Sequence, residues 1–314
     1  MNGCFTIFLF LILILVLFLY FASFQTRDYF QWNTDKSIGN CFSRYFGSMG
    51  LSFFNGKDFF AEDSFKKDPY LQNLPMFVPL QTNIQTQLRM TNFNPKDLSV
   101  IPNSYWVIEN HRAEKFWLIM KPLVHQMIST FLKSHDINLT IKTPVIHFRC
   151  SDVPFIRNSH YHFVRYSFFK DCLMEAERQL NKKFDSVLLL SCHHHKSNPV
   201  YREKCNKYEA SLMQYLRNLG YQVNIQCNSN IYDFAIMFYA PVVLSPSSSF
   251  SFMSGFFGNG LFYSEGHFTE QKNNPNRNYV SLKSSNWLKT GYSIRHCDVI
   301  DYEDTVTVIE KLLK

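Results

Sequence analysis

Several patterns that mark particular classes of protein are missing from this 314-residue chain. Its Lys and Arg residues form no long run, so a basic arm that binds nucleic acid is not indicated. No two of its eight cysteines have the C-x-x-C spacing of zinc and redox sites. An Asp-x-Asp pair, internal repeats and low-complexity segments are also missing. These absences argue against nucleic-acid-binding, zinc-binding and repeat proteins.

What the sequence does contain is a large apolar fraction: 46% of its residues are hydrophobic and 17% are aromatic. A chain of this composition buries a core and is not disordered, and its length suits two domains of ordinary size. The net charge is +7. A mildly basic protein suits an anionic small ligand or a membrane surface.

An almost unbroken apolar run extends over Phe5–Phe24. A helix of this length spans roughly 30 Å, the thickness of the hydrocarbon core of a membrane. A cleaved signal peptide is the alternative, but no Lys or Arg precedes the run and Phe24-Gln25 is a poor cleavage site. The sequence therefore predicts an uncleaved anchor over residues 5–24, between a tail of residues 1–4 and a short stem of residues 25–36. Charge leaves the orientation open, because the tail is uncharged and Arg27 follows the run.

The cysteines permit disulfides without specifying them. Cys4 lies at the membrane edge, and seven cysteines follow the apolar run. Some of the seven could pair in an oxidising lumen, and their odd number leaves at least one unpaired. Asn138-Leu139-Thr140 is the only glycosylation sequon, and it is compatible with a lumenal body.

Strand and helix patterns alternate through the second half of the chain. Apolar runs predict strands at 145–148, Ser186–Cys192, Gln222–Ile225, Val242–Leu244 and Gly260–Tyr263. Helices are predicted at 163–182, over a segment that ends at Gly220, at Tyr232–Ala240, at 249–257 and at 302–313. This alternation predicts an α/β fold with a doubly wound parallel sheet.

The first half is less regular. Residues 112–135 follow a helical period, and residues 51–110 show no sustained period. His125 and His135 on the predicted helix are expected to be surface or satisfied core residues rather than ligands.

The stretch Pro144–Asp152 contains the strongest candidate site. A short strand leads into His147, Arg149 and Asp152, and ligands of open α/β sheets bind at the carboxyl ends of the strands. An Arg side chain can donate two parallel hydrogen bonds to phosphate oxygens, so this stretch could grip a diphosphate. The alternative is a surface arginine that pairs with Asp152.

Two further segments could bind phosphate. The Gly39-Asn40 pair opens a predicted helix, and Ser247, Ser248 and Ser249 lie between a predicted strand and another helix. Amides at a helix N-terminus favour an anion, but an ordinary capped helix has the same appearance. The cluster His193-His194-His195 could bind metal or form an exposed polar loop, and the loop is the favoured interpretation.

Three segments, taken in order, resemble the GDP-fucose-dependent fucosyltransferases, and especially the α1,2-fucosyltransferase family. The family's opening motif is Gly-x-Gly-Asn-Gln-x-Phe, of which this chain has Gly39 and Asn40; its Phe42 is shifted by one place, and the first Gly and the Gln are missing. The family's central motif is His-x-Arg-Arg-x-Asp. His147, Arg149 and Asp152 match it, but Cys150 replaces the second Arg.

The third motif of the family is Ser-Ser-Phe-Ser followed by two bulky aromatic residues. Residues 248–251 match it, and Phe252 and Met253 stand at the two aromatic places. Together the three matches span residues 37–253.

The resemblance implies a GT-B fold, in which two Rossmann-like halves face a cleft. An acceptor half would cover residues 37–143, and a donor half residues 144–314. The resemblance also implies a single-pass type II protein of the Golgi membrane with a lumenal body.

For the chemistry, the resemblance implies an inverting, metal-independent transfer of fucose from GDP-fucose to a glycan or glycoprotein. Without Asp-x-Asp, the charge on the departing diphosphate must be neutralised by cationic side chains and helix-end amides. By resemblance Arg149 takes that role, His147 holds the nucleotide or phosphate, and Asp152 orients the loop. The residues expected to bind the donor are Gly39, Asn40, Ser247, Ser248, Ser249 and Phe250.

Two other functions fit the same residues. One is a transferase of this fold that uses another sugar nucleotide. The other is a catalytically inactive, membrane-anchored carbohydrate-binding protein. The presence of Arg149 argues for activity, and the replacement of its neighbour by Cys150 argues for the inactive alternative.

Overall fold

The structure is a computed structural model. It describes residues 2–25, 27–30, 37–90, 111–150, 162–192, 199–246, 248–265, 279–280, 287–288, 293–295 and 305–314.

The first half of the chain is mainly helical. Its elements in order are α1 (Asn2–Gln25), β1 (Arg27–Phe30), α2 (Ile38–Phe54), β2 (Asp58–Ala61), β3 (Phe77–Val78), α3 (Thr82–Met90) and α4 (His111–Ser134). A short 3₁₀ helix at Asp63–Lys67 follows β2. The three strands form a small sheet in the order β1-β2-β3, with β1 parallel and β3 antiparallel to β2.

The second half alternates strand and helix. The elements up to the last long helix are β4 (Val145–His147), β5 (His162–Val164), α5 (Tyr166–Leu180), β6 (Ser186–Leu190), α6 (Pro199–Asn218), β7 (Gln222–Gln226) and α7 (Asn230–Tyr239). The remaining elements are β8 (Val242–Pro246), α8 (Ser249–Ser251), a π-helical turn (Phe252–Phe256), β9 (Leu261–Glu265), β10 (Tyr279–Val280), β11 (Trp287–Leu288), β12 (Ser293–Arg295) and α9 (Thr305–Leu313).

A five-stranded sheet organises the second half. Its strand order is β7-β6-β4-β8-β9, and all four pairings are parallel. The chain therefore adds strands on one side of β4, crosses over, and continues on the other side. This is a doubly wound α/β sheet of Rossmann-like type, as the alternating pattern predicts.

Two apolar cores cover the two faces of this sheet. Val145 and Val243 face a core that they share with α2, α4 and α7, and Ile146 and Leu244 face a second core with α5, α6 and α9. Successive strand residues point to opposite faces, so the sheet is buried on both sides. Because α2 and α4 belong to the first core, the described part of the first half packs directly onto the sheet of the second half.

The first helix differs from the rest of the chain in its exposure. Its side chains are described from Ile7 to Tyr20, and each of these is a large apolar or aromatic residue that lies exposed. Among the residues whose side chains the structure describes, which in this helix are residues 7–20, no helical stretch has the length and apolarity needed to span a membrane. The anchor over residues 5–24 stays a prediction.

Two disulfides, Cys150–Cys205 and Cys192–Cys227, link segments of the second half. Their sequence separations are 55 and 35 residues. On the chain-entropy model each stabilises the fold by about 4 kcal/mol. The cysteine spacings alone left this pairing open. Cys41 and Cys172 are buried.

Most elements predicted for the second half are confirmed, with bounds shifted by a few residues. The strand β5 was missed: it pairs with β12 and occupies the start of the helix predicted at 163–182. The predicted stop at Gly220 is confirmed, since this residue follows α6 with φ +97°. The helix predicted at 112–135 is α4, in which His125 Nδ1 donates to the carbonyl oxygen of Phe257 at 2.7 Å. His125 is thus a satisfied residue, as expected.

Lys121 on α4 generates a prediction about stability and pH. Its Nζ lies 5.0 Å from the ring centre of Phe256, and burial lowers the pKa of its ammonium group from 10.5 to about 8. Between these two values the unfolded chain binds more protons than the folded chain, so this group makes the free energy of unfolding rise with pH. Lys121→Met is therefore expected to be more stable than wild type at pH 7, and the difference should shrink by pH 10.

Denaturant unfolding of both proteins at several pH values measures this difference. Tyrosines titrate in both proteins alike and cancel in the comparison. A difference that stays constant from pH 7 to pH 10 would contradict the lowered pKa.

Candidate functional site

The strand order of the large sheet predicts a crevice at the carboxyl ends of two inner strands, β4 and β8. The direction in which the chain adds strands reverses between β4 and β8, which are neighbours. Helices that follow these two strands leave on opposite faces, so a crevice opens at their carboxyl ends. His147 is the last residue of β4, and Ser245 lies near the end of β8.

The strand pattern decides which side chains face this crevice. Ile146, Phe148 and Cys150 belong to the second core, whereas His147 and Arg149 are only half-buried. Phe148 N donates to the carbonyl oxygen of Leu190 at 2.9 Å, so the pairing continues beyond the last strand residue. By this alternation His147 lies on the face of Val145, and the half-buried Arg149 between buried Phe148 and Cys150 continues the same pattern of burial past the strand end.

His147 is tied to the neighbouring strand and to α8. Its Nδ1 lies 3.3 Å from Ser245 Oγ, and its ring centre lies 5.6 Å from that of Phe250. Ser245 Oγ in turn lies 2.6 Å from Ser251 Oγ, and both serines are fully buried. A polar chain therefore runs from the imidazole through the end of β8 to the first turn of α8.

The first turn of α2 meets the first turn of α8 at the same place. Ser249 Oγ donates to Asn40 Oδ1 at 2.5 Å, across 209 residues of sequence. A Cβ on Gly39 would lie 2.4 Å from Phe250 N and 2.5 Å from Phe250 Cα. Only glycine allows this backbone approach, because the obstructing atoms belong to the main chain and cannot turn aside.

The electrostatics of this arrangement favour an anion. The first amides of a helix have no intrahelical acceptor, and the helix dipole adds a partial positive charge there. The 17-residue α2 supplies such a dipole here, whereas α8 has three residues and contributes only its first amides. Together with Arg149, they suit a phosphate or diphosphate group.

Two residues near the site, Arg44 and Ser245, were not predicted from the sequence. Arg44 is only 9% exposed and lies one helical turn after Asn40, on the same side of α2. The i, i+4 spacing from Asn40 was the available signal. No role was predicted for Ser245 either. It stands two residues after the buried Val243 on β8, so both lie on the same face of the sheet, which is also the face of His147.

Most of the predicted site residues are described by the structure, and two of them are not. The structure brings together Gly39, Asn40, His147, Ser249 and Phe250, and places Arg149 at the same strand end. Asp152 and Ser247 lie outside the described residues, so the suggested pair of Arg149 with Asp152 stays a prediction.

Two local details differ from expectation. Ser37, and not the Gly39-Asn40 pair, is the N-cap of α2, so the pair lies within the first turn. Ser248 is the N-cap of α8, but its side chain makes no capping hydrogen bond, and it is 7% exposed.

The described part of the chain contains one group of side chains with the spacing of metal ligands. Ligand atoms of Cys192, Cys227 and Asp233 lie within 4.8 Å of one another. The two sulfurs are joined in a disulfide and are not thiolates, the form that binds metal. Both carboxylate oxygens of Asp233 accept hydrogen bonds from Asn228, at 2.9 and 3.1 Å. The cluster is therefore explained without a metal, and His193–His195 lie outside the described residues.

Gly39→Ala tests the contact between the two helix openings. The added methyl group would force α2 and α8 apart, which we expect to cost about 1–3 kcal/mol of stability and to weaken binding of inorganic pyrophosphate. Gly220→Ala is the control: nothing lies within 4 Å of the added group, and only the positive φ opposes it. This control is expected to cost about 1–2 kcal/mol with pyrophosphate binding unchanged.

Calorimetric titration and denaturant unfolding of both variants separate the two effects. If both variants lose stability and bind pyrophosphate as wild type does, the contact at Gly39 does not shape the anion site.

Comparison with known proteins adds no relative: no protein-family model, no curated protein and no solved structure matches the chain. A functional conclusion therefore depends on the geometry of this site and on the three motifs that it brings together.

Proposed function

We propose that the chain is a glycosyltransferase that transfers fucose from GDP-fucose to a glycan or glycoprotein acceptor. The mechanism would be inverting and independent of metal. The observation that supports the proposal most directly is that residues 39–40, 147–149 and 249–251 converge at the carboxyl ends of β4 and β8. These segments lie far apart in sequence, and each contributes a group that favours an anion.

The diphosphate of the donor is the part of the substrate that this geometry supports most directly. Breaking the bond between fucose and GDP builds negative charge on the β-phosphate. Preorganised donors aimed at that charge stabilise the transition state more than the ground state. Arg149 would donate two hydrogen bonds to the leaving phosphate, and the first-turn amides of α2 and α8 would hold the other oxygens.

His147 is suited to hold and orient the donor. Its Nδ1 lies 3.3 Å from Ser245 Oγ, which orients the imidazole ring at the end of β4. Phe250 lies beside the imidazole and against Phe234, with ring centres 5.7 Å apart, which limits its movement. In this proposal GDP and fucose are the donor's leaving group and transferred sugar, and their identity is supported by the resemblance of the motifs.

A lumenal location is supported by the disulfides. Disulfides form and persist in the secretory pathway and are rare in the cytosol. The exposed apolar side chains of α1 from Ile7 to Tyr20 would be covered by lipid if this segment anchors the chain. We propose a type II protein of the Golgi membrane, with the body in the lumen.

The two-half arrangement of a GT-B fold is also part of the proposal. The five-stranded sheet would be the core of the donor half, residues 144–314. The acceptor half, residues 37–143, would include β2 and β3, and β1 (Arg27–Phe30), from the predicted stem, would add the third strand of this small sheet. Its helix α2 would then line the donor site from across the boundary, through Gly39 and Asn40.

One observation favours a second function, that of a catalytically inactive carbohydrate-binding protein. The family's second Arg is replaced by Cys150, which is buried and joined to Cys205. No side chain at that position can therefore reach a phosphate. Arg44, one helical turn after Asn40 on α2, is the residue that would have to supply a second positive charge if the reaction needs one.

Arg149→Ala is expected to lower turnover of GDP-fucose by about 10²–10³-fold, because one preorganised charge donor is removed from the transition state. Arg149→Lys should restore little, since an ammonium group cannot reproduce the two-pronged contact. Arg178→Ala is the matched control, because this exposed arginine pairs with Glu175 on the surface of α5, at 2.6 Å.

The measurements are release of GDP and thermal unfolding for wild type and the three variants. Near-normal turnover of Arg149→Ala would show that the diphosphate is held elsewhere. Wild type that binds a nucleotide but never releases GDP from GDP-fucose would support the inactive alternative or another donor sugar, and comparing GDP, UDP and CMP binding separates these two.

Turnover is expected to persist in a strong chelator. The charge of the leaving group is neutralised by Arg149 and helix-end amides in this mechanism, so EDTA removes nothing that the reaction uses. The measurement is GDP release in EDTA and after addition of manganese. Loss of activity in EDTA that manganese restores would overturn the mechanism and direct attention to His193–His195.

A further inference from the structure

Arg149 stands between two residues that are held by the second core. Phe148 is 2% exposed and Cys150 is 1% exposed, whereas Arg149 itself is half-buried. No strand continues through this position, because β4 ends at His147. The direction of the Arg149 side chain therefore depends on how firmly its two neighbours are fixed.

The first neighbour is fixed by aromatic packing. The ring of Phe148 lies nearly parallel to that of Phe163, with an interplanar angle of 8° and centres 6.1 Å apart. Phe163 belongs to β5 and packs edge-on against Tyr208 of α6 at 5.4 Å. The Phe148 backbone is also hydrogen-bonded to β6 through the carbonyl oxygen of Leu190.

The second neighbour is fixed covalently. Cys150 is joined to Cys205, which lies in the first half of α6 and is also 1% exposed. Cys205 and Tyr208 are one helical turn apart, so both anchors of the Arg149 segment end on the same stretch of α6. Beyond Cys150 the next described residue is His162, so the disulfide is the last described attachment of this segment.

We propose that the Cys150–Cys205 disulfide is a positioning element of the anion site. It holds the backbone of Arg149 so that the guanidinium is aimed at the diphosphate. The inference rests on the proposed function in naming a diphosphate as ligand. Cys150 thus affects anion binding through Arg149. Where the fucosyltransferase motif has a second Arg, this chain has a half-cystine that fixes the orientation of Arg149 and adds no positive charge.

The second disulfide provides the comparison. Cys192–Cys227 joins the segments that follow β6 and β7, and neither of its cysteines neighbours Arg149 in sequence, although Leu190, two residues before Cys192, accepts the hydrogen bond from Phe148. The two bridges close loops of similar length, so their loss should lower the unfolding temperature by similar amounts. Only loss of the first bridge should act through Arg149.

The experiment measures binding of GDP and of inorganic pyrophosphate to the full-length chain in detergent by calorimetric titration. Six proteins are compared: wild type, Arg149→Ala, Cys150→Ala/Cys205→Ala, Cys192→Ala/Cys227→Ala, and each double variant combined with Arg149→Ala. Arg149→Ala is expected to weaken binding about 10- to 150-fold, the value of one hydrogen-bonded charge.

Cys150→Ala/Cys205→Ala should weaken binding about tenfold. Added to Arg149→Ala, it should have almost no further effect, because the residue through which it acts is gone. Cys192→Ala/Cys227→Ala should lower the unfolding temperature as much and should leave the effect of Arg149→Ala unchanged. Additive effects of Arg149→Ala and Cys150→Ala/Cys205→Ala, or unchanged binding without the first bridge, would overturn the inference.

A second variant covers failure of the first to fold. Phe163→Leu removes the ring that stacks on Phe148 and keeps both bridges, so it loosens the same segment from its other side. Phe163→Leu should weaken binding in the wild-type background and have almost no further effect when Arg149→Ala is present. If the effects of the two substitutions on binding add instead, the proposal is contradicted.

The two ligands separate this inference from the proposed function. If pyrophosphate binds and GDP binds no better, the nucleotide-sugar function fails, and the pyrophosphate measurements still decide the role of the disulfide. If both bind and the effects are additive, the disulfide is only structural and the function stands. If neither binds wild type, the anion site itself is refuted, together with both proposals.

Discussion

The arrangement of this protein depends on one backbone contact, the approach of Gly39 to Phe250. A single added Cβ would meet main-chain atoms at 2.4 Å, so no larger residue fits while α2 and α8 keep their places. The contact brings α2, a helix of the first half, to the carboxyl ends of the strands in the second half. It also aligns two helix openings whose amides favour the same negative charge. Without it, Asn40 could not reach Ser249, and the site would consist of a strand end alone.

The aromatic composition explains how such a contact is held. The first core contains residues from 38 to 262, among them Phe42, which packs edge-on against Phe131 at 5.3 Å and Phe234 at 5.4 Å. Each of these rings comes from a different helix. Edge-to-face pairs add about 0.5–1.5 kcal/mol beyond the area that they bury. The shared core therefore makes the position of α2 a property of the whole sheet and not of its own segment.

Cys150 ties the candidate site to the second core. A charged side chain would not belong at this position, because Phe148 and Val164 in that core are almost fully buried. A half-cystine is compatible with that core and adds a covalent link to α6.

The sequence by itself determined the local elements of the second half. Apolar runs, the helical period before Gly220 and the serines before α8 are short-range signals, and each was sufficient to predict its own strand, helix or turn. It also predicted that His147 and Arg149 stand at a strand end. The strand order, the missed β5–β12 pair, the partner of Cys150 and the meeting of Asn40 with Ser249 were decided only by the tertiary structure. Each of these joins residues that are separated by tens to hundreds of positions, and which partner a residue meets is set by the packing of the whole core and not by its neighbours in the chain.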